Sequence, residues 1–495
     1  MNVHTTSRKK EIMRQSGIYS ASTLLTQLIT FIAAFLTRRF LGPTQMGIWS
    51  TLQILVDYSK YAAMGTMTAV AIEIPYWAGK GELDRAEKIK NTAFTFLTVS
   101  SLLICIAIAI FALLTQGKFP AEVTFGLFFV SAIIFLQRMS NLLITLLRCY
   151  KKFHVESGQM VWSSIVNAAL IALLASRFKM YGFIWALGLS FVFNIIYLLR
   201  KHRYHFRWYF DRQTFQPLLI RGFPLMLLGL LNTGFQNIDR MVIAKMLGFE
   251  LLGFYSIALM TCSFISNFSN AANTVLVPHF QEKLGEKDDP DDLQEFLFKA
   301  SLPLALIMPI VISCAWLFVP LLIKIFLPKF IPGIAAMKLL VLSSFFTASL
   351  QPYQTFLLTV KKHWLIFPIL GFVILLATGS SWLAVHFRKG IDGVAIAVTF
   401  ASFTNFALSY FVATKMFSNQ VRLIKRFLII LSCFAYLIFF LFLETRCALL
   451  SKEGLVLFAI ESFSTMAFCV PLLWILNRRF FFFRRPFGGG DAAHG

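Results

Sequence analysis

The sequence predicts an all-α membrane protein of about fourteen transmembrane helices. Three observations carry that prediction: a strongly apolar composition, a series of apolar runs long enough to cross a bilayer, and a motif in the first half that returns in the second. Of the 495 residues, 58% are hydrophobic and 14% are charged, with a mean hydropathy of +0.72. So much apolar surface needs lipid as its solvent.

The formal net charge of +23 would point to nucleic acid in a soluble chain. Here the basic residues sit in short segments between apolar runs, so no nucleic-acid partner is expected. The seven cysteines occur singly, with no C-x-x-C pair and no run of nearby histidines to complete a zinc site. They read as apolar filler. The first apolar stretch is too long for a signal-peptide core and is followed by Thr37, Arg38 and Arg39, not a small-residue cleavage site, so it is expected to remain as the first helix.

Runs of roughly 18 to 25 apolar residues place spans near 17–37, 46–72, 91–115, 122–146, 159–176, 183–199, 218–247, 251–276, 300–323, 333–358, 365–386, 394–414, 427–443 and 455–476. An even number puts both termini on one side. Positive loops stay in the cytoplasm, and with the termini inside, the inner segments carry 29 Lys and Arg and the outer segments 13. Both termini are therefore expected in the cytoplasm. Lys60, Arg138, Arg221 and Lys338 fall within spans or at their ends and need an explanation of their own.

The segment Arg200 to Arg212 interleaves basic and aromatic residues as a single-strand nucleic-acid binder does. Between two apolar spans, however, it reads as a cytoplasmic linker against anionic headgroups, with Trp208 and Tyr209 at the interface. The acidic run Asp288, Asp289, Asp291 and Asp292 reads as a solvated inner loop.

Leu41-Gly42-Pro43-Thr44-Gln45-Met46-Gly47-Ile48-Trp49-Ser50 returns 206 residues later as Leu247-Gly248-Phe249-Glu250-Leu251-Leu252-Gly253-Phe254-Tyr255-Ser256. Ile74-Pro75-Tyr76 then matches Val277-Pro278-His279, Lys151-Lys152 matches Lys361-Lys362, and Gly182 with Asn194 matches Gly393 with Asn405. Shared order and nearly constant offset imply duplication of a six-helix unit. Because six is even, the copies share orientation and are expected to be related by an axis along the membrane normal, with the substrate path between them. The expected organisation is a six-helix bundle over 1–199, a basic linker over 200–217, a second bundle over 218–414, two added helices over 415–476 and a cytoplasmic tail over 477–495.

The Arg14-x-Ser16-Gly17 opening, the R-R-F-L-G-P-x-x-x-G-I-W-S turn from Arg38, and the R-G-F-P and I-D-R-M-V-I-A-K-M-L-G segments from Arg221 and Ile238 resemble polysaccharide-transport flippases. These belong to the multidrug/oligosaccharidyl-lipid/polysaccharide exporter superfamily. The resemblance implies a MATE-like, V-shaped pair of six-helix bundles that moves a lipid-linked oligosaccharide, of the kind used for O-antigen, across the bacterial cytoplasmic (inner) membrane. It implies as partners that substrate, membrane lipids and polysaccharide polymerase machinery. No cofactor is expected, and coupling to a proton, a sodium ion or the membrane potential stays open.

The motif-bearing spans also carry polar stripes at helical spacing. The first holds Ser16, Ser20, Thr23, Gln27, Thr30, Thr37 and Arg38; the second Gln53, Asp57 and Lys60; the fourth Arg138, Asn141 and Thr145; the seventh Arg221, Asn232, Gln236, Asp239 and Arg240; and the eighth Ser263, Asn267, Asn270 and Thr274. Hydroxyl groups in such helices often only bond their own backbone. Charges are harder to set aside, because a central Arg or Lys costs about 2.5–3.5 kcal/mol on insertion scales. Asp57 with Lys60, and Asp239 with Arg240, form either structural pairs or part of a coupling device. Arg138 has no acidic neighbour within a turn of its own helix, which makes it the leading candidate for contact with a phosphate. Arg38, Lys60, Arg221 and Arg240 are the other candidate anion ligands, with Asn141, Asn232 and Gln236 as partners for sugar hydroxyls.

Two competing functions follow from the same residues. A cation-coupled multidrug exporter of this fold would use embedded carboxylates, for which Asp57, Asp239 and Glu461 are the candidates. A membrane polymerase or ligase would need room for a catalytic loop, yet every outer loop is short, and no G-x-x-x-x-G-K-[ST] loop occurs.

Overall fold

In the computed structural model the described residues are 2–202, 204–286, 290–415, 420–450, 468, 471 and 472, and among them there is no β-strand. The helices are α1 (Asn2–Ser59), α2 (Thr66–Gly79), α3 (Leu83–Leu114), α4 (Ala121–Cys149), α5 (Phe153–Leu170), α6 (Ser176–Lys201) and α7 (Arg212–Met246), followed by α8 (Phe249–Glu286), α9 (Pro290–Phe326), α10 (Ile334–Val341), α11 (Ser343–Thr359), α12 (Ile366–His386), α13 (Gly390–Thr414) and α14 (Gln420–Leu450). Among the described residues eleven helical segments are long and apolar enough to cross a membrane.

Two of those segments, Gly17–Ala63 and Phe153–Lys201, are 47 and 49 residues long. At about 1.5 Å per residue, each has more than twice the length a bilayer core requires. Each is also broken, at Gly42 (φ 73) and at Lys179 (φ 49). Read as two crossings apiece, they match the paired spans expected from the sequence. Apart from residues 468, 471 and 472, the span near 455–476 lies outside the described residues, as do the tail over 477–495, Glu461 and the side chains of the acidic run.

The breaks repeat. Gly42 (φ 73) and Gly248 (φ 90), Lys151 (φ 56) and Lys361 (φ 58), and Lys179 (φ 49) and Gly390 (φ 58) are all left-handed, and each pair stands at matching positions of the duplicated sequence. The second pair closes its helices with the same two bonds: Lys151 N donates to Arg148 O and Lys152 N to Leu147 O, while Lys361 N donates to Leu358 O and Lys362 N to Leu357 O. A left-handed residue with these two bonds satisfies carbonyls that a helix end would otherwise leave bare.

The chain divides into two compact units, Met1–Ser256 and Ile257–Gly495. The repeat and the unit are not coextensive: α7 and the first turns of α8 belong with the first unit because α7 packs along α1, α2 and α3. In the second unit, Tyr353, Phe406 and Tyr410 are almost fully buried. Tyr353 Oη donates to Ser301 Oγ at 3.0 Å and Tyr410 Oη to Leu423 O at 2.7 Å, so each buried phenol has a partner.

In the first unit the two copies of the repeated turn meet. A Cβ on Gly47 would overlap the carbonyl of Phe249, and a Cβ on Gly253 would overlap the carbonyl of Pro43. Pro43 and Phe249 are themselves equivalent in the repeat, so the contact is reciprocal. The turns therefore lie side by side, as two copies of one orientation require.

Between α6 and α7 the linker runs as an extended strap along α3. Arg207 N donates to Asn91 Oδ1 at 3.2 Å and Tyr209 N to Thr95 Oγ1 at 3.1 Å, and Phe206 stacks on Phe94 at 4.5 Å. Trp208, Tyr209 and Phe210 point outward.

Candidate functional site

A series of polar groups in the first unit lines the contact between two helical elements that run antiparallel. One is α1, a short 3-10 turn (Lys60–Ala63) and α2; the other is α7. Arg240 Nη1 lies 3.4 Å from Asp57 Oδ2 at one end of this contact. Next along it, Tyr61 Oη is 2.5 Å from both Gly229 O and Thr233 Oγ1. Gly65 then meets Gly222 backbone to backbone. At the far end Arg221 pairs with Glu73.

The helix break is what creates this arrangement. After Ser59 the chain tightens into the 3-10 turn and then passes through Met64 (φ 50) and Gly65 (φ 76), both left-handed, before α2 begins. Broken helices inside a membrane leave backbone groups that need partners. Arg138, on α4, supplies one: its Nη1 donates to Ser59 O at 3.0 Å. Arg138 is 5% exposed, and among the described residues it has no carboxylate partner and its Nη2 no acceptor.

Around the Asp57–Arg240 end, Asp239 is buried and accepts from Tyr255 Oη at 3.0 Å and from Arg240 N at 2.8 Å. Arg240 Nη1 also donates to Asn237 Oδ1 at 3.1 Å. Arg38, likewise buried, donates to Ala34 O at 3.1 Å and to Ser256 O at 2.9 Å. Asp57 is thus partnered by Arg240, a helix away, and not by Lys60. Lys60 is exposed, with its ammonium 5.2 Å from the ring of Tyr61.

The other expected site residues are less concentrated. Asn141 and Gln236 are exposed, and Asn232 Nδ2 donates to Leu228 O of its own helix at 3.2 Å. Thr23, Thr37 and Thr145 also bond carbonyls one turn back, at 2.8, 2.7 and 2.8 Å. In the second unit, Asn270 Oδ1 accepts from Gln351 Nε2 at 2.9 Å. The side chains of Ser16 and Thr274 lie outside those described. Lys338 sits 4.8 Å from the ring of Trp316, so all four of the embedded cations have a partner.

Among the described residues three buried carboxylates escaped sequence reasoning: Glu73, Glu156 and Glu444, the last on α14. Glu73, on α2, receives Arg221 and also Trp77 Nε1 at 2.9 Å. Glu156, on α5, is 1% exposed and holds Arg148 Nη2 at 2.7 Å and Tyr19 Oη at 3.4 Å. All three stand just beyond the edges of the apolar runs, where hydropathy alone gives no reason to expect burial.

A family model described as "Polysaccharide biosynthesis protein" matches residues 38–329, more than half of the 495. The chain belongs to that family. No curated protein matches it. Among solved structures it is similar to the lipid II flippase MurJ in an inward closed conformation, with TM-score 0.64 and 14% identity, covering 93% of this chain and 98% of that one. It is also similar to a multidrug resistance MATE family transporter of the MOP superfamily in an inward-facing conformation, with TM-score 0.63 and 15% identity over 81% of this chain and 95% of that one. A third is a MOP superfamily transporter from Pyrococcus furiosus described by the reverse polarity of its binding pocket, with TM-score 0.54, 16% identity and coverage of 81% and 92%. Identities this low establish the fold. The family member is thus a multi-pass membrane protein whose fold is like those of MurJ and the MATE transporter.

Proposed function

We propose that the protein is a flippase that moves a polyprenyl-(di)phosphate-linked oligosaccharide across the bacterial cytoplasmic membrane by alternating access, with both termini in the cytoplasm. Membership of a polysaccharide biosynthesis family, joined to a transporter fold, is the observation that carries this reading. The chain's own residues suit such a substrate. A phosphate crossing a hydrocarbon layer about 30 Å thick must exchange its water for fixed donors, and guanidinium groups are the strongest available. Arg240 stands on a carboxylate, Asp57, that a phosphate could replace. The lipid tail remains in the bilayer, since each buried CH₂ is worth about 0.8 kcal/mol there.

A cation-coupled multidrug exporter is the second reading, favoured by the embedded carboxylates Asp57, Glu73 and Asp239 and by the MATE-type fold. Reconstituted proteoliposomes separate the two. The flippase is expected to carry a polyprenyl-diphosphate oligosaccharide between leaflets, made visible by its new accessibility to an impermeant glycosidase. Ion-driven accumulation of ethidium without movement of that lipid would establish the exporter instead. For sidedness, a cysteine placed near Lys389 is expected to react with an impermeant label on intact cells while one in the 200–212 segment is spared. The reverse pattern would reject the orientation.

A further inference from the structure

The ends of α2, α3 and α7 border an open cavity of about 660 Å³, lined by Glu73, Trp77, Arg85, Asp211 and Arg221 among others. We propose that this cavity reads the sugars of the lipid-linked substrate before it crosses the membrane, an inference that rests on the flippase reading.

Its size lies inside the range of about 300–1,000 Å³ typical of small-molecule sites. Its charge is nearly balanced, with four carboxylates facing three cations across the space. A balanced lining gives no net field to select a diphosphate or an organic cation. What it offers is a dense set of oriented donors and acceptors.

Most of these groups are already held in place. Glu73 is fixed by Arg221 and by Trp77 Nε1. Arg85 lies 3.6 Å above the Trp77 ring and 3.6 Å from Glu82, so its planar N–H fork stacks on that ring beside the cavity. Asp211 accepts from Gln213 N at 3.1 Å and Thr214 N at 3.0 Å, which fixes the start of α7. Asp84, Lys88 and Gln213 line the same space and are exposed. A neutral polyol matches this lining, because every hydroxyl both donates and accepts, and because planar carboxylate, amide and guanidinium groups meet vicinal hydroxyls two at a time. The strap of residues 204–211 ends at this cavity, on the side assigned to the cytoplasm, where newly built sugars would arrive.

The test uses the full protein in proteoliposomes and two probes extracted from export-blocked source cells: the polyprenyl diphosphate bearing the complete repeat, and the same lipid bearing its first sugar alone. The wild type is expected to move the complete repeat about tenfold faster, the discrimination that a site lined with hydrogen-bonding groups readily supplies. Asp84→Asn combined with Gln213→Ala should erase that preference by slowing the complete repeat while leaving the one-sugar rate unchanged. Lys88→Gln should shift it in the same direction. Equal wild-type rates for the two lipids, a preference that survives the substitutions, or an equal loss for both lipids would overturn the sugar-reading role and leave the flippase reading intact. If the wild type moved neither lipid, both readings would fall.

Discussion

Arg240 and Asp57 meet at 3.4 Å across α7 and α1, and both side chains keep partial exposure, 17% and 32%. A pair this open is worth little to folding, about 0–1 kcal/mol, so its presence in a membrane helix calls for another reason. Asp57→Asn should leave the amount of membrane-inserted protein unchanged and lower flux per molecule by about tenfold, the size of one lost charged contact in the transport barrier. Arg240→Ala should do more, since it also strands Asn237 Oδ1. Flux and membrane-inserted protein falling in parallel would make the pair structural.

The reciprocal seating of Gly47 on Phe249 and Gly253 on Pro43 predicts intolerance of any side chain at either glycine. Gly47→Ala and Gly253→Ala should each cost about 1–3 kcal/mol through overpacking, seen as a lower thermal midpoint in detergent. Because the two contacts belong to one crossing, the double substitution should cost clearly less than the two single effects added together. Full additivity would show that the two turns are not coupled.

Much of the fold could be read from the sequence because a bilayer leaves few options: apolar runs of the right length must be helices. The duplication was legible in the L-G-x-x-x-x-G turns because their glycines answer backbone demands, a left-handed φ at Gly42 and Gly248 and a close crossing at Gly47 and Gly253. Partners were not legible. Asp57 sits three residues from Lys60, yet its charge is met by Arg240, 183 positions away. Glu73 and Glu156 were hidden for a related reason: hydropathy ends a span at the first charge, whereas Arg221 and Arg148 allow a carboxylate to be buried past that edge.

His202, at the start of the strap, accepts at Nδ1 from Lys152 Nζ at 2.9 Å and lies 4.4 Å from the Tyr204 ring and 6.2 Å from that of Tyr150. Burial, and then the Lys152 charge, hold its pKa below the ordinary histidine value. The folded protein therefore resists protonation while the unfolded chain accepts it. Stability is complete above the unfolded value of about 6.5 and declines as pH falls from there through the folded pKa, where the loss levels off. Thermal midpoints measured from pH 7.5 to 5 should show this decline, and His202→Asn, which keeps an acceptor but cannot titrate, should flatten it. An unchanged slope in that variant would remove His202 as the cause.

Arg138 is the residue whose sequence setting most invites a phosphate, yet its geometry gives it a structural role, since it donates to Ser59 O where α1 ends inside the membrane. Arg138→Ala would leave that carbonyl without its charged donor and open a cavity beside the 3-10 turn. A buried polar group left unsatisfied costs about 1–3 kcal/mol, so the alanine variant should lower the amount of folded protein. Arg138→Lys, with a shorter reach but a charged donor, should recover part of that amount. Contact with substrate predicts the opposite division: normal folded protein with transport abolished by alanine and largely retained by lysine. Arg138 Nη2, buried without a protein acceptor, allows both roles to fall to one side chain, with Nη1 on the helix break and Nη2 turned to the phosphate. In that case Arg138→Lys should restore folded protein to near wild type yet leave flux per molecule low, because an ammonium cannot serve both directions as a planar fork does. Surface polysaccharide in a flippase-deficient strain, normalised to membrane-inserted protein, distinguishes the three outcomes.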